Sequence, residues 1–371
     1  MTVKLKIFIK CVLLLFCLST APINAQILKD TSTVNLIKKG VDAIYNFRFK
    51  DAGEVCSKIN ESYPGHPVVY LLKGMITYWQ NFPLLTTSPA RTFFEEDLHN
   101  CIDLCEKNND PDYEAENVLA NLCARGMLLS FYADNDLNLE VFPLATSTYK
   151  YIRRSFNFIS VSSDFCYFAG VYDYYREAYP EAYPIYKPLA VLFPRGNKAK
   201  GIKELQKASI NSIVLRAESL SFLAEVFLRF ENDYQQATYY NKTLYELYPA
   251  NTQFKEEYIK NLLLIKQYDE AERLILSSDS TLNNSFFMAQ FTIFHGIIME
   301  KKYHDNKQAQ EFYMKGVREI GLFGKYGNEF AAWAYLGLSR ISDANGDKHY
   351  KKLYRKLAGE LADIRKINFD P

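Results

Sequence analysis

From Val34 to about Lys366 the apolar positions recur with the spacing of one helix face, with only brief interruptions. Apolar and polar residues do not alternate over any useful length, which predicts an all-α chain. Residues 26–33 read as a short polar tail ahead of the first helix. Pro83 and the Thr-Thr-Ser-Pro run ending at Pro89 predict a longer loop after two regular helical units. Longer, less regular helices are then expected at about Arg91 to Lys107, Asp112 to Ala133 and Ala145 to Phe158, punctuated by Pro111 and Pro143. Regular units resume near Lys198, and the chain closes on an Asn-Phe-Asp-Pro tail.

Within this helical pattern, small residues return at a fixed interval. Gly40 and Gly74 are 34 residues apart, as are Ala237 and Ala271. In the first clear unit Phe49 precedes Ala52 by three residues and Pro64 follows it by twelve, and Tyr234, Ala237 and Pro249 repeat those offsets. Tyr268 and Ala271 repeat the first half, and Trp333, Leu336 and Gly337 form a W-x2-L-G start. Small residues let two helices close up at their crossing, the aromatic fills the space beside them, and the proline ends the second helix. On these residues the chain resembles tetratricopeptide-repeat proteins. The resemblance implies one α-solenoid of stacked helical hairpins over residues 34–371, with an irregular middle section and with the first helix of each unit lining a concave groove. Residues Phe165 to Ala208, with an aromatic and glycine stretch, a proline-rich break and a Gly-x-Lys-x-x-Gly helix start, are also similar to a eukaryotic tetratricopeptide family linked to inclusion-body clearance.

The irregular section is Asp164 to Pro194. Gly170, Ala182 and Pro194 stand at repeat offsets, but Pro180, Pro184 and Pro188 fall where a second helix should run, so that helix is expected to be broken or replaced by an extended connection. Seven tyrosines, among them Tyr172 and Tyr175, surround Arg176 here. Such a mixture suits a contact surface, and it equally suits an elbow between two sub-stacks with the rings turned inward.

Composition sets the compartment and narrows the partner. Residues 1–25 read as a secretory signal peptide: Lys4, Lys6 and Lys10, an apolar run from Cys11 to Leu18, and Ile23-Asn24-Ala25 before Gln26. The chain is therefore expected to be exported, to the periplasm or the extracellular space if the source is bacterial. The full chain has 44 basic and 43 acidic residues, and cleavage would remove three lysines and no acid. With no basic run, nucleic acid is not expected as a partner. The stretch Phe286 to Met299, interrupted by Gln290 and His295, has the length of a buried helix, so no transmembrane span is expected after cleavage, though peripheral envelope association is compatible with the sequence. Five of the seven cysteines would remain, and a disulfide from Cys101 or Cys105 to Cys123 stands beside the reading of buried small apolar residues.

Catalytic signatures are missing: there is no nucleophile elbow, phosphate-binding glycine loop or paired-histidine helix. His99 with Cys101 and Cys105 is the nearest approach to a metal set, but its members point to different faces, and neither metal nor cofactor is expected. Glu256 with Glu257 reads as a solvated helix face. The expectation is a non-enzymatic scaffold that binds a protein or peptide on its concave surface, with candidate contacts Tyr78, Arg125, Glu225, Arg229, Tyr172, Tyr175 and Arg176. The alternative is a small-molecule or glycan-binding envelope protein using the tyrosine-rich segment, with Trp79 or Trp333 as ring platforms. A deep pocket would favour the ligand, and an open groove a peptide.

Overall fold

The computed structural model describes residues 26–279 and 283–362, and every regular element among them is helical. The signal-peptide reading of residues 1–25 and the final Asn-Phe-Asp-Pro tail lie outside the described residues. Sixteen helices of twelve residues or more pack as consecutive pairs: α1 (Thr31–Tyr45) with α2 (Phe49–Ser62), α3 (Pro67–Gln80) with α4 (Ala90–Lys107), and α5 (Glu114–Asp134) with α6 (Asn138–Ser155). The fourth pair is α7 (Asp164–Ala182) with α8 (Lys198–Asn211), followed by α9 (Arg216–Arg229) with α10 (Tyr234–Leu247) and α11 (Thr252–Leu264) with α12 (Tyr268–Asp279). The last two are α13 (Ser285–Lys301) with α14 (Asn306–Ile320) and α15 (Asn328–Ala344) with α16 (Lys348–Leu361). Each pair packs on the next, the arrangement of an all-α solenoid.

One backbone device makes six of these hairpins. Phe47, Asp136, Asn232, Lys266, His304 and Gly346 all have positive φ, and each stands two residues before the second helix of its pair. At four of them the following amide reaches back five residues, as Arg48 N to Ala43 O at 2.8 Å and Gln267 N to Leu262 O at 2.8 Å. A left-handed residue followed by that long return bond satisfies the last carbonyls of the first helix and turns the chain back on itself. Aspartate or asparagine then opens many of the helices. Asp30 accepts from Ser32 N and starts α1 at Thr31, three residues ahead of the apolar pattern, so the polar tail is shorter than expected.

The close crossings fall where small residues predict them, and one pairing differs. A Cβ on Gly40 would lie 3.0 Å from Val55, and one on Gly74 would run into Leu98 of the partner helix. Gly170 is met by Leu205 and Gly201 of α8, so the fourth hairpin is α7 with α8. Residues 183–197 are an insertion between its arms, and Ala182 and Pro194 are not a second helix of the repeat. α7 carries Pro180 within its last turn, where the missing amide costs a single bond. Pro143 is likewise inside α6, which begins at Asn138 rather than Ala145; as the sixth residue it removes one amide, the one that would reach Leu139 O, and the helix continues through it. The start of α7 is tied to the next hairpin by Asp164, fully buried, which accepts from the amides of Ile213, Val214 and Leu215 at 2.8–2.9 Å.

Two substitutions test this account of the hairpin. Gly201→Ala would place a Cβ 2.8 Å from both Gly170 O and Tyr174 N, and should cost about 1–3 kcal/mol, seen as a lower unfolding midpoint. Lys266→Gly, at φ 62°, should gain about 1 kcal/mol and raise the midpoint.

Candidate functional site

The solenoid bends until its first hairpins meet its last. Phe82, in the loop after α3, packs against Phe286, Phe287 and Tyr326 at ring separations of 6.1, 6.0 and 5.9 Å. Its carbonyl accepts from Asn284 Nδ2 at 2.8 Å. Lys325 donates to Ala133 O at 2.8 Å and pairs with Asp136 at 3.0 Å. Farther in, Tyr45 of α1 meets Tyr248 and Phe254 at 5.2 and 5.7 Å, and Trp79 meets Phe254 at 5.7 Å.

This curvature brings a residue of every first helix, from Tyr45 of α1 to Glu329 of α15, onto one inner chamber of about 510 Å³. Its lining is aromatic through Tyr78, Trp79, Phe82, Phe254 and Tyr326, and polar through Asp134, Glu218, Glu225, Asn241, Gln253, Glu257, Gln290 and Glu329. No lysine, arginine or histidine is among the lining residues. A second compartment of about 400 Å³, mostly apolar through Leu71, Met75, Leu122, Met127 and Val214, shares Tyr45, Tyr78, Trp79, Tyr167 and Glu218 with the first.

Two cations stand behind the acidic wall. Arg229 pairs with Glu225 and, at 3.0 Å, with Glu329, while Lys260, only 1% exposed, pairs with Glu257. These cations hold the Glu329 carboxyl below its ordinary range against the opposing effect of burial. Glu256 lies wholly buried behind Glu257, and burial first, then the Glu257 charge, pushes its pKa well up. The solvated face expected of Glu256 and Glu257 is therefore corrected. α11 has no free side, since α10, α12 and α13 surround it, and both carboxylates face inward.

Glu218 has no basic partner. Its carboxylate accepts from the Tyr45 hydroxyl, its other oxygen is unpaired, and burial raises its pKa to about 7 despite that hydrogen bond. The groups around it are Tyr45 on α1, Cys123 on α5, Asp164 and Tyr167 on α7 and Tyr248 at the end of α10; Arg216, two residues earlier on α9, acts on Tyr248 and forms no ion pair with Glu218 among the described residues. Asp134 is likewise raised by burial, to about 6, with Lys325 acting in the opposite direction. Gln290 is 1% exposed and neither its amide nitrogen nor its carbonyl oxygen has a partner, while Gln253 and Glu329 each leave one oxygen unpaired. Buried polar atoms without partners cost stability, and the chamber wall carries several of them.

The residues singled out from sequence separate into groups. Tyr78 and Glu225 line the chamber, and Arg229 braces it. Arg125 is elsewhere: it joins α4, α5 and α6 through Glu106, Asn121 and Ser147 at 2.7–2.8 Å. Tyr172 donates to Pro194 O at 2.7 Å and Arg176 to Phe193 O at 3.1 Å, so both fasten the insertion to α7. Tyr175 packs between Phe222 and Phe230. Trp79 lines the chamber, whereas Trp333 is core at 2% exposure. Cys101, Cys105 and Cys123 carry free thiols in the interior, with Cys101 directed at Ala120 O at 3.7 Å. Among the described residues no group of three or more His, Cys, Asp or Glu side chains is arranged to hold a metal ion, and no helix is long and apolar enough to cross a membrane.

Glu218, Gln253 and Gln290 escaped the sequence reading because each sits on a helix that reads as ordinary core. The available signal was Gln290 itself, a lone amide inside an apolar run. No protein-family model matches this chain, and no curated protein matches it.

The raised Glu218 carboxyl has a definite stability signature. Its folded pKa exceeds the ordinary 4.5, so the folded state holds the proton longer than the unfolded chain. Stability is thus unaffected well below pH 4.5, falls as pH rises from about 4.5 to 7, and stays lower above that range. Glu218→Gln keeps an acceptor for Tyr45 without the charge. It should raise the unfolding midpoint at pH 8, by the equivalent of about 1–3 kcal/mol, and leave it unchanged at pH 4.

Proposed function

We propose that this chain is an exported, tetratricopeptide-like binding protein that takes a small ligand into the chamber at the centre of its superhelix, and that it is not an enzyme. The observation that carries this is the convergence of all eight first helices on one recess lined by aromatic faces and unpaired buried polar atoms. A recess of about 510 Å³ falls in the range of small-molecule sites, and the contacts across the ring leave little of an open groove for an extended peptide. The tetratricopeptide character is supported by the repeated positive-φ turns and glycine crossings, and export by the composition of residues 1–25.

A protein partner is the second reading, and it has a different place. Ile185, Val191 and Leu192 on the insertion are 83, 80 and 76% exposed, an apolar group of the kind that marks macromolecular contacts. Loss of a cross-linked partner from the triple variant Ile185→Ser, Val191→Ser, Leu192→Ser, with the chamber intact, would move the weight to that surface.

The chamber is tested with the neutral dye Nile red. Saturable one-to-one binding is expected, with quenching of Trp79 emission, and Ser221→Trp, which fills the chamber, should weaken it about tenfold or more. Absence of saturable binding, or equal binding by the filled variant at an unchanged unfolding midpoint, would refute a ligand chamber.

A further inference from the structure

We infer that the ligand of this chamber is an organic cation with an apolar body, its ammonium head beside Glu218 and its body against Trp79, the acid and the indole that border both compartments. This rests on the chamber being a ligand site. Five carboxylates reach the lining and no basic side chain does. Arg229 and Lys260 answer Glu225, Glu329 and Glu257 from behind, which leaves Glu218 and Asp134 without a salt bridge on the lining itself other than the distant influence of Lys325 on Asp134.

Helix geometry accounts for only part of this acidity. Glu218 and Glu329 stand in the first turns of α9 and α15, where the helix dipole favours a negative charge. Glu225 and Glu257 lie farther along their helices, beyond that effect. The starts of α11 and α13 do not offer an anion site either, because Asn251 already accepts from Gln253 N and Phe254 N, and Asn284 from Phe286 N.

The uncharged surfaces agree with a cation. Gln290 is buried with its carbonyl oxygen unpaired, as are one oxygen each of Glu218, Gln253 and Glu329, so four acceptors on the wall await a donor, against one unpaired donor, the Gln290 amide nitrogen. A protonated amine supplies several donors at once, and a quaternary ammonium instead presents a soft positive surface to ring faces. Trp79, the strongest type of ring for such contact, lines the chamber, with Phe82 stacked on it at 5.5 Å and Phe254 edge-on at 5.7 Å. The adjoining compartment gives room for an apolar chain past Met75 and Met127, with Trp79 and Glu218 bordering both spaces.

Displacement of Nile red by three molecules of matched length decides the matter: heptyltrimethylammonium, heptanol and heptanoate. The cation should displace the dye at a concentration about tenfold or more below the alcohol, and heptanoate should be weakest. Glu218→Gln and, separately, Asp134→Asn should each reduce the cation's advantage about threefold to tenfold while leaving the alcohol unchanged, and added salt should weaken the cation alone. Equal displacement by all three, or a lead for heptanoate, overturns the cation while the dye still certifies the chamber. If the dye itself does not bind, the chamber reading fails and the inference falls with it.

Discussion

Closure of the superhelix rests on one cluster: the Phe82 ring set among Phe286, Phe287 and Tyr326, with its own carbonyl held by Asn284. Neighbouring hairpins of a solenoid see only each other, so their stacking angles accumulate freely and the inner face is ordinarily open. Here residues 202 positions apart are hydrogen-bonded, and the turn Gly321–Gly327 reaches Leu84, Ala133 and Asn135. That fixes the sum of all the intervening angles. Every glycine crossing between α3 and α13 thereby becomes part of the geometry of the chamber, although none of them touches it. Such crossings vary little because backbone meets side chain or backbone with no room for adjustment, as Gly170 and Gly201 do.

Closure also changes what the inner face can be. A first helix in an open solenoid may carry charged residues inward at no cost, since water fills the groove. With the ring shut, Glu256, Lys260, Asn261 and Gln290 are at most 1% exposed. Their desolvation is offset only in part, by Arg229 and Lys260 among the acids, and unpaired oxygens remain. The stability of such a wall could be improved by apolar residues of similar size, so the polar lining is not what holds the fold together.

The legible part of this molecule was the part written in local terms. Gly40, Gly74 and Gly170 announce close crossings, and Pro83 to Pro89 announces the long hairpin loop. The partner of Gly170 was misread because Ala182 and Pro194 satisfied the repeat spacing by coincidence. The true partner, Gly201, lies beyond an insertion whose length no periodicity encodes. The chamber was legible only in fragments. Tyr78, Glu225 and Arg229 were drawn from the first-helix rule, which also picked Arg125, away from the chamber, and Trp79 from the ring-platform reading, whereas Glu218 and Gln290 depend on curvature summed over eight hairpins. Glu256 and Glu257 show the limit most clearly: a polar pair on an amphipathic helix is a solvated face only if that face meets bulk water, and here α10, α12 and α13 surround the helix, burying Glu256 and turning Glu257 to the chamber.

The two compartments and the single acid between them give the site a polarity that an ordinary hydrophobic pocket lacks. Glu218 borders both spaces, carries no salt bridge, and titrates near neutrality because burial disfavours its charge. A positive group arriving beside it would lower that pKa and ionise the carboxyl, so binding of the cation and release of a proton become one event. The Tyr45 hydroxyl is already oriented on the carboxylate and is itself buried at 2% exposure, with Trp79 and Tyr248 fixing its ring. The charge would then form in a site already shaped for it, which is the condition under which a buried electrostatic contact adds to affinity instead of cancelling against reorganisation.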